Sequence, residues 1–234
     1  MPNLSPVWTM IGLDVLMIFY TLWVLSLSLS SKVIRTAGMA MLAWLAALHL
    51  ALSNEMLFSK DIAGIAFLMA IFAGVALVGA LLLLVPRVRV VLLSLHQQQL
   101  LLLQGIRVFF GAAFLMQATL GWLPPTFGII DGLTHIGAGF FGLIAAFAVA
   151  TGLDGRPRAW FANLFGLADI LIVASTLALV LLPQIGPHHS MMYAVFFPAP
   201  LWLWFHLISI WKLTGGDKQN CVDRLAFSES RTGG

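Results

Sequence analysis

Seven ionisable residues lie inside the apolar stretches of this chain: Asp14, His49, Arg107, Asp131, His135, Asp169 and His206. A charged group at the centre of a bilayer costs at least ~2.5–3.5 kcal/mol, so each must be paired, wetted or protonated. Carboxylates and imidazoles together support two kinds of chemistry. They relay protons, since imidazole changes charge near neutrality. They also coordinate a divalent or transition metal, for which His49 and His135 are the nitrogen donors.

Depth, counted at ~1.5 Å per helical residue, sorts the seven into two groups. The outer group is Asp14, His49, Asp131 and His135. Asp131 and His135 are four apart and share a helix face, which continues through the small residues Ala138, Gly142, Ala146 and Ala150. The pair therefore points where that helix packs. The four are either satisfied interhelical hydrogen-bond partners near a wet interface or one shared site, with His49 and His135 converging on Asp14 or Asp131 to hold a metal or a haem, or to open a proton path. Asp14 also heads a seven-residue line with Thr21 and Ser28, a polar inward face on the first helix.

The inner group is Arg107, Asp169 and His206. Asp169 sits near the midplane, and an Arg107–Asp169 ion pair bridging two helices offsets both desolvation costs while adding little net stability. The alternative for Arg107 is to snorkel to the headgroups. His206 shares a face with Trp202 and Ser209. His188 and His189 follow Pro183 and Pro187 in a loop and read as a solvated pair.

The elements that position these residues are membrane helices. Of 234 residues, 61% are hydrophobic and 9% charged, against roughly 25% charged in a soluble domain. A soluble enzyme, a nucleic-acid binder and a disulfide scaffold are excluded. The one cysteine, Cys221, leaves no intramolecular disulfide and no cysteine metal site. Residues 1–6 lack the basic start of a signal peptide, so the first apolar run stays as a helix.

Seven apolar segments span about 20 residues each, at 7–29, 36–53, 62–85, 102–122, 130–151, 160–182 and 191–211. Residues 87–101 form an interfacial segment, or else belong to a longer, tilted fourth helix. Trp8, Trp122, Trp160, Tyr193 and Trp211 fall at proposed ends, where amphipathic rings favour the headgroup layer. Lys60 alone is basic on one side, leaving eleven of the twelve Lys and Arg on the other. By the positive-inside rule that side is cytoplasmic.

The predicted fold is thus an all-α polytopic membrane bundle of seven transmembrane helices, N-terminus outside and C-terminus cytoplasmic. Residues 1–212 form the transmembrane domain and 213–234 a short flexible cytoplasmic tail. Further small-residue stripes, Ala66/Ala70/Gly74 and Gly111/Ala118/Gly121, mark close helix contacts. Pro198 and Pro200 bend or open the last helix. The glycine run 137–142 matches a dinucleotide fingerprint in form, but no strand precedes it.

Several functions are weighed against these residues. A retinal protein needs a lysine deep in the seventh helix, and Lys212 is at its end. A ceramidase-type zinc hydrolase needs clustered histidines that helix seven lacks. A small transporter or channel with a proton- or ion-linked polar pathway accounts for most features. A non-catalytic subunit of a membrane complex, and a haem or metal redox protein using His49 and His135, stand as alternatives. The expected surroundings are the lipid bilayer of a prokaryotic cytoplasmic membrane, with a second copy or a membrane complex as partner and no nucleic acid.

Overall fold

The computed structural model describes residues 5–216, and every element among them is helical. Seven helices are long and apolar enough to cross a membrane, so this is an integral membrane architecture. They are α1 (Pro6–Ser26), α2 (Ser31–Ser53), α3 (Gly64–Leu84), α5 (Gln97–Thr119), α6 (Pro125–Thr151), α7 (Gly155–Ile185) and α8 (Met191–Gly215). A short eighth helix, α4 (Pro86–Ser94), joins α3 to α5.

Local chemistry sets the ends. Ser5 caps α1 and Pro6 opens it, its missing N–H being one the first turn cannot use. Val85 is held extended before Pro86, which separates α3 from α4. Gly152, at φ 73°, closes α6 in the left-handed region that suits glycine. The expected opening of the last helix falls at Phe197 (φ −113°, ψ −70°), immediately before Pro198.

Four starts differ from the sequence expectation, all in one direction, and the second span begins at Ser31 rather than residue 36. The fourth span begins at Gln97 rather than residue 102, so residues 87–101 divide between α4 and the foot of α5. The fifth begins at Pro125 rather than 130, and the sixth at Gly155 rather than 160. In each case polar or glycine residues within a first turn look like loop but complete a helix. Helical hydrogen bonding also continues through Lys212–Gly216. Residues 217–234, which hold most of the expected tail and Cys221, lie outside the described residues.

Successive spans alternate in direction. One end gathers residues 27–30, α4, 152–154 and the end of α8, and is rich in Lys and Arg; we call it the basic end. The opposite end carries 54–63, 120–124 and 186–190. There the His188–His189 pair is not solvated as expected. His188 Nε2 meets the Phe58 carbonyl at 3.0 Å, and His189 Nδ1 accepts from the Met191 N–H at 3.2 Å.

The centre of the bundle is α5, two-thirds of whose span is buried, with α8 beside it; α3 is peripheral at about a fifth. The α5–α6 contact is backbone on backbone. A Cβ on Gly139 would meet Val108 N at 2.8 Å, one on Gly132 would meet Gly111 O at 3.0 Å, and one on Gly142 would meet Leu101 O at 3.0 Å. Small residues let the backbones approach this closely in lipid. The α6 stripe is buried at Ala138, Gly142 and Ala146 but not at Ala150. The α3 stripe is out of phase: Ala66 is exposed, and Phe67, Ile71, Val75 and Gly79 face inward. Small residues still seat α3 on α8: a Cβ on Gly79 would overlap the Trp204 ring, and one on Gly74 would meet Phe196 at 3.0 Å.

Candidate functional site

Arg107 opens the α-helical second half of α5, directly after a 3-10 stretch at Leu103–Ile106. It is fully buried, and so is Asp169, midway along α7. The two form an ion pair through Arg107 Nη2 and Asp169 Oδ2. Arg107 Nη1 donates towards Gln104 Oε1 (3.4 Å) and the Gly166 carbonyl (3.5 Å), and reaches His206 Nε2 at 3.1 Å. The guanidinium also lies over the Trp202 ring, 5.1 Å from its centroid, a cation–π contact in a dry setting.

His135 Nδ1 approaches Asp169 at 3.1 Å from the other side. Its ring packs against Phe114 (5.1 Å between centroids) and Trp202 (5.6 Å). His206 Nδ1 meets Asn163 Oδ1 at 2.9 Å. The Asn163 amide donates to Ser209 Oγ (2.7 Å) and to the Ala159 carbonyl, and Gln97 Nε2 donates to the same Ser209 Oγ at 2.6 Å. Gln97 in turn lines an open vestibule at the basic end, with Gly155, Arg156, Lys212 and Thr214. A chain of polar side chains therefore runs from the midplane to that vestibule.

The network assigns its own protons. A guanidinium only donates, so His206 Nε2 must accept and the imidazole is neutral, with its hydrogen on Nδ1 facing Asn163. His135 donates from Nδ1 to Asp169. Asp169 thus accepts from Arg107 and His135 together, which a carboxylate does well and a protonated acid does not.

The outer residues are distributed differently from the expectation. Asp131 is buried and takes the Thr176 hydroxyl (2.9 and 2.7 Å) across α6–α7. Asp14 is buried in α1 with neither oxygen partnered. His49 is half-buried, meets the Tyr193 hydroxyl at 2.7 Å and lies beside Trp8. His49 and His135 do not converge: α2 packs on α1 and α8, whereas α6 packs on α5 and α7. The cause is the start of α6. Five more residues place His135 about 7 Å deeper, level with Asp169 and away from His49. Among the described residues, no three His, Cys, Asp or Glu side chains gather as a metal would require.

The partners that sequence reasoning missed are neutral: Asn163, Gln97, Gly166 and Thr176. Spacing held a signal for Asn163, which precedes Gly166 and Asp169 at intervals of three on one face. Midplane apolar space adjoins the network, in a narrow crevice of about 40 Å³ lined by His135, Trp202 and Phe114 with residues of α3, α7 and α8.

No curated protein and no solved structure matches the chain. A family model described as Domain of unknown function (DUF8737) matches residues 62–214, about two-thirds of the sequence and every member of the ionic network. The chain belongs to that family.

Proposed function

We propose that the protein is a small proton-linked transporter of the cytoplasmic membrane, with the Arg107–Asp169 pair as its switch. The observation that supports this is the polar chain from the midplane to the basic-end vestibule, built inside a bundle that is otherwise apolar. A structural ion pair does not require an adjoining route of four hydrogen-bonding groups.

In this reading Asp169 alternates between two states. Ionised, it is held by Arg107 and His135, and the guanidinium is neutralised. When Asp169 takes a proton, Arg107 loses its counter-charge in a low-dielectric site, where an uncompensated ion is expensive. The guanidinium then draws a small anion along the polar chain, or shifts with α5 at the weak 3-10 turn before it. Proton binding is thereby coupled to movement of charge. Arg107 interrupts any direct proton relay, because it donates hydrogens and does not give them up. Coupling, rather than simple conduction, follows from that interruption.

The test is flux. Purified protein in liposomes with an entrapped pH-sensitive dye should collapse an imposed pH gradient faster than empty liposomes in the presence of permeant and candidate anions. Asp169→Asn and Arg107→Gln should both return to the empty rate. Wild-type vesicles indistinguishable from empty ones under every ion condition would overturn the reading and favour a subunit of a larger membrane complex.

A further inference from the structure

The described interior contains three buried carboxylates, Asp14, Asp131 and Asp169, and one buried guanidinium. Arg107 is committed to Asp169, and Asp131 has the Thr176 hydroxyl. Asp14 has no hydrogen-bond partner among the described residues: both oxygens are enclosed. Bare carboxylate oxygens in a membrane interior carry the full desolvation cost, which a bound proton or cation would relieve.

Met10, one turn from Asp14 on the same face of α1, has its sulfur 3.2 Å from Gln117 Nε2 of α5. That contact takes one of the two amide hydrogens, and Gln117 Oε1 is enclosed and unpartnered as well. Further along the same α1 face, the Thr21 hydroxyl is also enclosed without a partner. The carboxylate oxygens and Gln117 Oε1 are acceptors, which a hydrogen-bond donor or a cation satisfies, while the Thr21 hydroxyl, two turns along, can donate as well as accept. The titratable groups that face Asp14 are Tyr193 from α8, whose hydroxyl Asp14 influences electrostatically, and behind it His49 from α2, bonded to Tyr193. Neither donates to Asp14.

We propose that Asp14 binds a small monovalent cation, a proton or an alkali ion, between α1 and α5 on the half of the bundle opposite the basic end. A proton converts the carboxylate to a neutral acid. An alkali ion takes the two carboxylate oxygens and the Gln117 amide oxygen as ligands. The site shares no residue with the Arg107–Asp169 network, so either reading can fail without the other.

The experiment is ligand-linked melting of the full-length protein in detergent, across a range of pH, with sodium, potassium or choline chloride at fixed ionic strength. A ligand at about a hundredfold over its Kd raises Tm by roughly 5–10 °C for a chain of this size. If the occupant is an alkali ion, sodium or potassium raises the wild-type Tm over choline and leaves Asp14→Asn unmoved. If it is a proton, the three salts are equivalent, and a rise in Tm on acidification is present in wild type and missing from Asp14→Asn. Identical pH and salt responses in wild type and Asp14→Asn overturn the proposal. Should that variant not fold, Asp14→Leu, which also removes the carboxylate, carries the same test; an unchanged response there overturns the proposal equally.

Discussion

At the scale of single residues, the bundle is held to one arrangement by how few charges it contains. Asp169 accepts from Arg107 and His135, and Arg107 spreads its remaining donors over Gln104, Gly166 and His206. Removing one member of such a pair strands the other, and breaking a buried pair costs about 3–5 kcal/mol. Asp169→Asn should therefore lower the melting temperature strongly. Arg107→Gln added to it should restore part of the loss, because two neutral amides can pair where an unpaired guanidinium cannot. Melting curves for both single variants and the double variant decide this, and additive losses would show that the pair does not act as a unit. A second prediction concerns the loop at the opposite end, outside the spans. Burial, reinforced by the neighbouring His188, pushes the His189 imidazole down to about 3. Its folded-state pKa is below the unfolded value of about 6.5, so the unfolded chain binds the proton more readily. The stability this neutral ring contributes is complete above about pH 6.5 and is lost as pH falls from there towards 3. His189→Gln should flatten that part of the wild-type stability profile, measured by melting at neutral and mildly acid pH. A variant profile parallel to wild type would remove His189 from the account.

At the scale of elements, the spans were legible and the site only partly so. Long uncharged runs announce a membrane helix whatever its neighbours do, and all seven were visible. So was the potential of Arg107 and Asp169 to pair, since two opposite charges at similar depth have few other options. The placement of His135 was not visible. Whether Pro124, Pro125 and Gly128 belong to a loop or to a first turn is undecided by their types, and that ambiguity shifted the ring by a helical turn and more. The role of Asn163 was hidden because an amide among apolar residues carries no charge penalty to betray it. The face of α3 was only partly legible: Gly74 of the expected stripe does meet Phe196, but Ala66 is exposed, and the inward line runs through Phe67, Ile71, Val75 and Gly79, where glycine admits the large Trp204 ring. Glycine at a contact can be tested directly. A Cβ on Gly166 would collide with the His206 ring and crowd Arg107, so Gly166→Ala should cost about 1–3 kcal/mol, as overpacking does, and should abolish flux. Gly12 has no atom within 4 Å of the same position. Gly12→Ala should be neutral or stabilising by up to about 1 kcal/mol through helix propensity. Melting curves check this: Gly166→Ala should lower Tm and Gly12→Ala should not.

At the scale of the whole molecule, the asymmetry is one of charge. The vestibule, the foot of the polar chain and nearly all Lys and Arg share one end, while the unpartnered Asp14 and the Asp131–Thr176 pair lie towards the other. Orientation therefore determines which compartment supplies the switch. Positive residues in short loops resist translocation, and the basic end gathers Lys32, Arg35, Arg87, Arg89, Arg156, Arg158 and Lys212 against Lys60 opposite. That difference is large enough that moving any single residue would not reverse it. The expectation is a cytoplasmic basic end, with the N-terminus outside. Reporter fusions active only in the cytoplasm should report at positions 95 and 216 and stay silent at 58 and 188; fusions active only outside should do the reverse. The four positions sample both ends twice, so a frayed or inverted helix would show as a mixed pattern rather than a clean inversion. A clean inversion would keep every contact described here and reverse the physiology: the vestibule would open to the exterior, and Asp14 would face the compartment from which the proposal has Arg107 draw its anion. With the predicted orientation the vestibule opens to the cytoplasm and Asp14 lies on the outer half. Helix α5, which carries both Arg107 and Gln117, is the element through which a shift at one site would reach the other.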